Sequence, residues 1–405
     1  MEQVGKFKLY SMEEMLDKHF GPIRTTRRDE HEKRVADAVH AYKIMKKKII
    51  ITALLTILTI GASAQIKVEV SETVELMGIL SRTAGFEEYC MDMAGQYTKD
   101  TEKWFTPYKE HPIIAYSQEL RNNQGISYDA VMSMAIHLDI NNGKIKFIGE
   151  KSDLDNRWQN VDIDDFVNRL NQFYAATHFH DFFEQHRTFY DAGLKDYETN
   201  VLPLFHQEWY ARFYGTETTE QFRIIVGFTC GGQNYGTARQ LKGKSKEEFS
   251  ICGYNLTPAT GKPYWDATLL IHEFNHSFVN HLLNNAVNAA MMEKIGQKLF
   301  QFSHFEMQQQ AYNNWQTVIN ESVVRAAVFI YMLDNKLVNR NTPQFMLEEM
   351  YSRGFRWMPE LVIALRRYSS QRAQYKTLND FYPEIASCLG KYVDDETKRI
   401  VNALK

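Results

Sequence analysis

The 405-residue chain has no excess of basic side chains: 47 Lys and Arg stand against 50 Asp and Glu, a net charge of −3. The electrostatic footprint of a nucleic-acid binder is therefore missing. The sequence has no internal repeat and no low-complexity tract, which sets aside repeat arrays. A hydrophobic content of 44% with 24% charged residues sets aside disordered and collagen-like chains and provides for a sizeable core. The apolar run Ile49 to Ile60 is 12 residues long, too short to cross about 30 Å of hydrocarbon. Only four cysteines occur, Cys90, Cys230, Cys252 and Cys388, and none directly follows that run where a lipid anchor would need it.

The run itself reads as the core of a secretory signal peptide. Met45 is followed by Lys46-Lys47-Lys48, and Ala62-Ser63-Ala64 offers the small residues that a signal peptidase reads. Residues 45–64 are thus expected to be removed, giving a periplasmic or secreted protein that starts at Gln65, with no stable membrane span left. Residues 1–44 are expected to be an upstream extension outside the mature protein. They resemble the opening of a small bacterial helix-turn-helix antitoxin (Phe20-Gly21-Pro22-Ile23, then Arg28-Asp29-Glu30) but stop before any DNA-reading helices. Residues 1–64 carry 12 basic and 8 acidic side chains, leaving 35 and 42, a net −7 over residues 65–405. In an oxidising compartment Cys230 and Cys252 could pair; buried free thiols are the equal alternative.

Along the chain, Lys67-Val68-Glu69-Val70-Ser71 alternates as a strand does. Helical patterns follow over 74–89, 91–105 and 128–138, then a turn at Asn141-Asn142-Gly143 and a short strand over 144–149. Residues 162–213 are mostly helical with a dense aromatic face. His178, His180 and His186 lie there, the first two on different helix faces and a poor metal pair. Phe222–Phe228 and Glu247–Gly253 read as strands, with Gly231–Gly236 as a turn or loop between them. Helical patterns then fill the C-terminal part. Strands grouped ahead of helices predict an α+β fold, mostly helical, with a small mixed sheet.

The chemistry is concentrated in His272-Glu273-Phe274-Asn275-His276. Positions i and i+4 share one helix face, so two imidazoles there can reach one metal ion while the glutamate addresses a water on it. Asp266 and Thr268 can cap the helix. A catalytic zinc normally takes three protein ligands and leaves a fourth position for water. Glu321, set in the apolar helical run Val318–Val324, is the favoured third ligand, because a carboxylate buried there needs a cationic partner. Arg325, one turn on, could be that partner instead or could orient the ligand as well. Glu348, Glu349, Asp334 and His281 are the other candidates. His281 lies about 140° round the helix from His276.

These stretches carry a resemblance. His272-Glu273-Phe274-Asn275-His276 on one helix with Asn320-Glu321 on the next resembles the gluzincin branch of zinc metallopeptidases. More closely, His272–Asn280, Asn320–Arg325 and Gly354-Phe355-Arg356-Trp357 resemble a family of secreted bacterial proteins, domain of unknown function 4932. The resemblance implies a zincin fold, with an N-terminal α/β portion over 65–150 and a catalytic domain over 151–405. It also implies one Zn²⁺ on His272, His276 and Glu321, Glu273 as general base, Asn320 and Arg325 beside the ligands, and a peptide or protein substrate. Arg325 stands where the thermolysin-type pattern has Asp, and His281 where relatives have Pro. The rival expectation is a catalytically silent zincin scaffold that binds in the cell envelope. The strand Phe249–Cys252 is expected to pair with an extended substrate. Tyr235 and Tyr254, chosen only as loop tyrosines, are candidate transition-state donors, with a core or turn role the plainer expectation for each.

Overall fold

A computed structural model describes residues 66–216, 220–310, 312–338 and 342–405. The readings placed on residues 1–64 fall outside that range. The helices, in chain order, are α1 (Glu72–Thr83), α2 (Gln96–Phe105), α3 (Pro112–Gln124), α4 (Asp129–Ile136), α5 (Ile163–Ala176), α6 (Phe179–Gln185), α7 (Arg187–Asn200), α8 (Gln207–Tyr214), α9 (Ala267–Val279), α10 (Ala286–Phe302), α11 (His304–Gln309), α12 (Trp315–Asp334), α13 (Thr342–Ser352), α14 (Met358–Ser370) and α15 (Leu378–Ala403). The strands are β1 (Lys67–Glu69), β2 (Leu138–Asn141), β3 (Lys144–Phe147), β4 (Gln221–Gly227), β5 (Tyr235–Arg239), β6 (Glu247–Gly253), β7 (Asn255–Leu256) and β8 (Pro263–Tyr264). The fold is α+β, mostly helical with a small mixed sheet, as the order of patterns predicts. None of the described helices is long and apolar enough to cross a membrane.

The chain divides into two compact units. The first holds the described residues from 66 to 278 except Phe213–Gly215. Its main sheet runs β1-β4-β6-β5, with β1, β4 and β6 parallel and β5 antiparallel to β6. All seven residues of β6 are buried, including Glu247 and Glu248. Burying two carboxylates in a central strand requires cations beside them. Glu247 accepts from Arg223 Nη1 of β4 at 2.8 Å and Arg239 Nε of β5 at 2.9 Å. Arg223 also pairs with Glu69 of β1, so one ladder of alternating charge crosses all four strands. Glu248 pairs with Lys246. The shorter ribbon of β2 and β3 turns through Asn142 (φ 50°) and Gly143 (φ 71°), both positive as a type I′ hairpin turn requires.

Sequence periodicity overran two helix ends here. The pattern over 74–89 stops at Thr83, because Gly85 takes φ 79°. The pattern over 91–105 begins only at Gln96, after Gly95 at φ 60°. Left-handed glycines end or delay a helix whatever the apolar spacing around them.

Glu75 lies fully buried on α1. Its carboxyl accepts from the Phe228 amide at 2.7 Å and from the Tyr97 hydroxyl at 2.8 Å, and Tyr97 in turn meets the Tyr190 hydroxyl at 2.7 Å. Burial outweighs these donors and pushes its pKa up from 4.5 to about 7. A raised folded-state pKa means that the native state holds the proton longer than the unfolded chain. This contribution is whole below pH 4.5 and lost as pH rises through about 7. Relative to Glu75→Gln, the wild type is expected to lose about 3 kcal/mol of stability between pH ~4.5 and ~8. Denaturant melts at several pH values check this; parallel curves for the two proteins would refute it.

The four cysteines are unbridged. Cys252 points at the Tyr197 hydroxyl, 3.3 Å away, and at Ser250 Oγ, 3.4 Å away; Cys230 is buried beneath β4. Of the two sequence readings, buried free thiols is the one found.

The second unit comprises Phe213–Gly215 and the described residues from Val279 to Lys405. It is helical, and α12 is its centre, buried along most of its 20 residues. Asn314 caps α12 by accepting from the Thr317 amide at 2.8 Å. Helices α10 and α14 pack against α12, and α15 packs on both. Gly296 of α10 lies against the Trp315 indole, where any side chain would overlap the ring.

Candidate metal centre

Helix α9 begins where Asp266 Oδ1 accepts from the Thr268 amide at 2.9 Å and from its hydroxyl at 2.6 Å, the cap read from the sequence. Leu270, Ile271, Phe274 and Phe278 form its buried stripe. Phe274 packs on Phe222, with ring centroids 4.4 Å apart, and Phe278 stacks on Tyr210 at 5.3 Å. Ser277 hydrogen-bonds Glu248 of β6. With that stripe fixed in the core, 3.6-residue periodicity leaves His272, Glu273 and His276 half-buried on the remaining face.

The two imidazoles meet with their Nε2 atoms 3.1 Å apart. Two nitrogens bound at about 2.0–2.1 Å to a tetrahedral zinc stand roughly 3.3 Å apart, so the pair fits one ion. Glu273 lies beside β5: a Cβ at Gly236 would overlap its Oε2. Gly236 is the one exposed residue of β5, and its missing side chain is the space that the carboxylate uses.

Glu321, 7% exposed on α12, completes the group. One ligand atom each from His272, His276 and Glu321 lies within 4.8 Å of the others. Two neutral imidazoles and a carboxylate are a donor set that catalytic zinc takes. Glu321 Oε2 accepts from Arg325 Nε at 3.1 Å and from the Tyr312 hydroxyl at 2.9 Å. Arg325 Nη2 also donates to the Tyr312 oxygen at 2.9 Å. Burial, ahead of the neighbouring charges, pushes Tyr312 up to about 12, so its hydroxyl keeps its proton at neutral pH. The Arg325 guanidinium lies over the Phe355 ring, 5.2 Å from its centre. Trp357 Nε1 donates to Ser322 Oγ at 2.9 Å. The stretch Gly354–Trp357 thus braces the helix turn that carries Glu321.

The rival third ligands are engaged elsewhere. Asp334 pairs with Arg366, Glu349 with Arg353, and Glu348 accepts from Gln344. His281 lies in the 3-10 turn Asn280–Asn284 and is not in the group. Asn320, beside the ligand, is half-buried. His180 pairs with Glu72 and His186 with Asp100, away from any metal group among the described residues. Tyr235 stacks on Tyr89 and Tyr254 packs against Phe228 and Trp265, both as core residues.

One expectation is overturned. The strand Phe249–Cys252 lies within β6, which has β4 on one side and β5 on the other, so no edge is left for a substrate. The outer strand beside β6 is β5, whose first residues, Tyr235 and Gly236, read as loop in the sequence. Gly236 and Tyr312 are the site residues that sequence reasoning missed. Gly231-Gly232 disguised the first as part of a turn. Nothing in the local pattern around Tyr312 marks it, since its importance comes from where the chain folds back.

Fold and site together define an α+β protein that gathers two histidines of one helix and a glutamate of another into a potential metal-ligand group. The chain belongs to the family described as Domain of unknown function (DUF4932), whose profile matches residues 66–388. No curated protein and no solved structure matches the chain.

Proposed function

We propose that this protein is an exported, zinc-dependent metallohydrolase with a zincin-like fold, and that it cleaves peptide bonds. The observation that carries the reading is the grouping of His272, His276 and Glu321, one ligand atom of each within 4.8 Å of the others, with Glu273 on the same helix as the two histidines. His272, His276 and Glu321 would hold the ion. Once bound there, zinc supplies Lewis acidity to the scissile carbonyl and lowers the pKa of water toward about 7.

Glu273 takes a proton from the attacking water as its oxygen bonds to the carbonyl carbon. It delivers that proton to the amide nitrogen as the C–N bond breaks, so the products are one carboxylic acid and one amine. The extended substrate backbone lies along β5, where exposed Gly236 lets main chain approach the acid. A binding scaffold without catalysis has no use for Glu273, which favours the hydrolase over the silent-scaffold reading.

The test is metal content together with hydrolysis of denatured proteins. Wild type is expected to hold one zinc and to cleave. Glu273→Gln is expected to keep the zinc and lose about 10²–10⁴-fold in kcat, the usual worth of a general base. A wild type that holds one zinc yet cleaves nothing in a broad peptide library would establish the silent scaffold instead. A wild type without affinity for zinc would end both readings.

A further inference from the structure

We infer that Tyr312 is a positioning residue for Glu321: with Arg325 it closes a three-membered ring of hydrogen bonds that fixes the carboxylate for the metal. The inference rests on the zinc reading above and assigns a role to a residue outside the metal-binding motif.

The three members are mutually bonded. Tyr312 donates to Glu321 Oε2, Arg325 Nε donates to the same oxygen, and Arg325 Nη2 donates to the Tyr312 oxygen. Two donors from different directions on one oxygen fix the rotation of the carboxylate, which a single donor does not do. Arg325 comes from the same helix, one turn on, and lies over the Phe355 ring. Tyr312 stands ahead of the helix, before its cap at Asn314, and is anchored independently against Phe355, with ring centroids 6.3 Å apart. Tyr312 therefore ties the ligand to a point off its own helix by a hydroxyl that comes from outside α12. Arg325, over Phe355, cannot leave the ring without losing its aromatic face. Outer partners of this kind typically govern metal affinity by 10–100-fold.

The experiment measures zinc affinity by competition with a chelator for wild type, Tyr312→Phe, Arg325→Lys and Glu321→Gln, and the melting temperature of each protein without metal. Tyr312→Phe keeps the ring packing and removes one oxygen. It is expected to melt without metal close to wild type yet bind zinc about 10–100-fold more weakly. Arg325→Lys keeps the charge but loses the fork that reaches both partners, and is expected to fall in the same range. Should the metal-free Tyr312→Phe protein fail to fold, the Arg325→Lys affinity decides. The inference is overturned if the folded variants bind zinc within about twofold of wild type while Glu321→Gln does not bind; the zinc reading would then survive alone. A wild type that does not bind zinc overturns both.

Discussion

Replacing Gly236 with alanine is expected to cut peptide hydrolysis by about 100-fold while zinc content and melting temperature stay near wild type. Gly236 is not among the glycines with positive φ, so its backbone accepts an L side chain. The cost falls on the neighbour: a methyl there overlaps Glu273 Oε2, while the Glu273 Cδ and Cβ atoms lie at ordinary contact distances of 3.4 and 3.5 Å. The carboxylate end can swing aside, so the fold survives, but the base leaves its place. A shift of about 1 Å in a catalytic group costs on the order of 10²-fold. The double variant with Glu273→Gln should lose no more than Glu273→Gln alone, because both changes remove one function. Full activity in Gly236→Ala would mean that the Glu273 carboxylate is not needed where it stands.

The second large effect concerns the third ligand. Glu321→Gln replaces a charged oxygen by an amide of the same shape, one that can still accept from Tyr312 and Arg325. Its zinc affinity is expected to fall by more than the 10–100-fold that outer partners command. A ligand at 100 times its Kd stabilises the native state by about 2.7 kcal/mol, which for a unit of this size is roughly 5–10 °C in Tm. Wild type should show that gain on addition of zinc and lose it to a chelator. Glu321→Gln should show none at the same zinc concentration. An equal gain in both proteins would place the ion elsewhere.

Much of this candidate site is legible in the sequence alone. The spacing from His272 to His276 is local, and a helix converts it to a shared face without help from the rest of the chain. Glu321 was legible for a different reason: a charge inside an apolar helical run needs a partner, and the run supplied only Arg325. The turn at Asn142-Gly143 was legible because few residues tolerate two positive φ values in succession. What escaped depends on pairing across the sequence. Tyr235–Arg239 is a short strand containing glycine, and it is extended because β6 holds it, not because its residues insist. The central place of β6 was hidden similarly, since nothing in its own residues says which strands flank it. In the sequence the Gly354–Trp357 stretch carries only a resemblance. Its physical role, a ring beneath Arg325 and an indole on Ser322, needed the fold.

The alternating charges that run Glu69, Arg223, Glu247, Arg239 across the sheet act as a ruler. A slip of β5 by one residue would part Arg239 from Glu247 and bring the side chain of Tyr235 or Thr237 to the spot that Gly236 keeps vacant. The acid at the heart of the proposed chemistry therefore owes its elbow room to a guanidinium three residues away, whose own business is elsewhere. Any effort to trim surface charge from this protein should leave Arg239 alone.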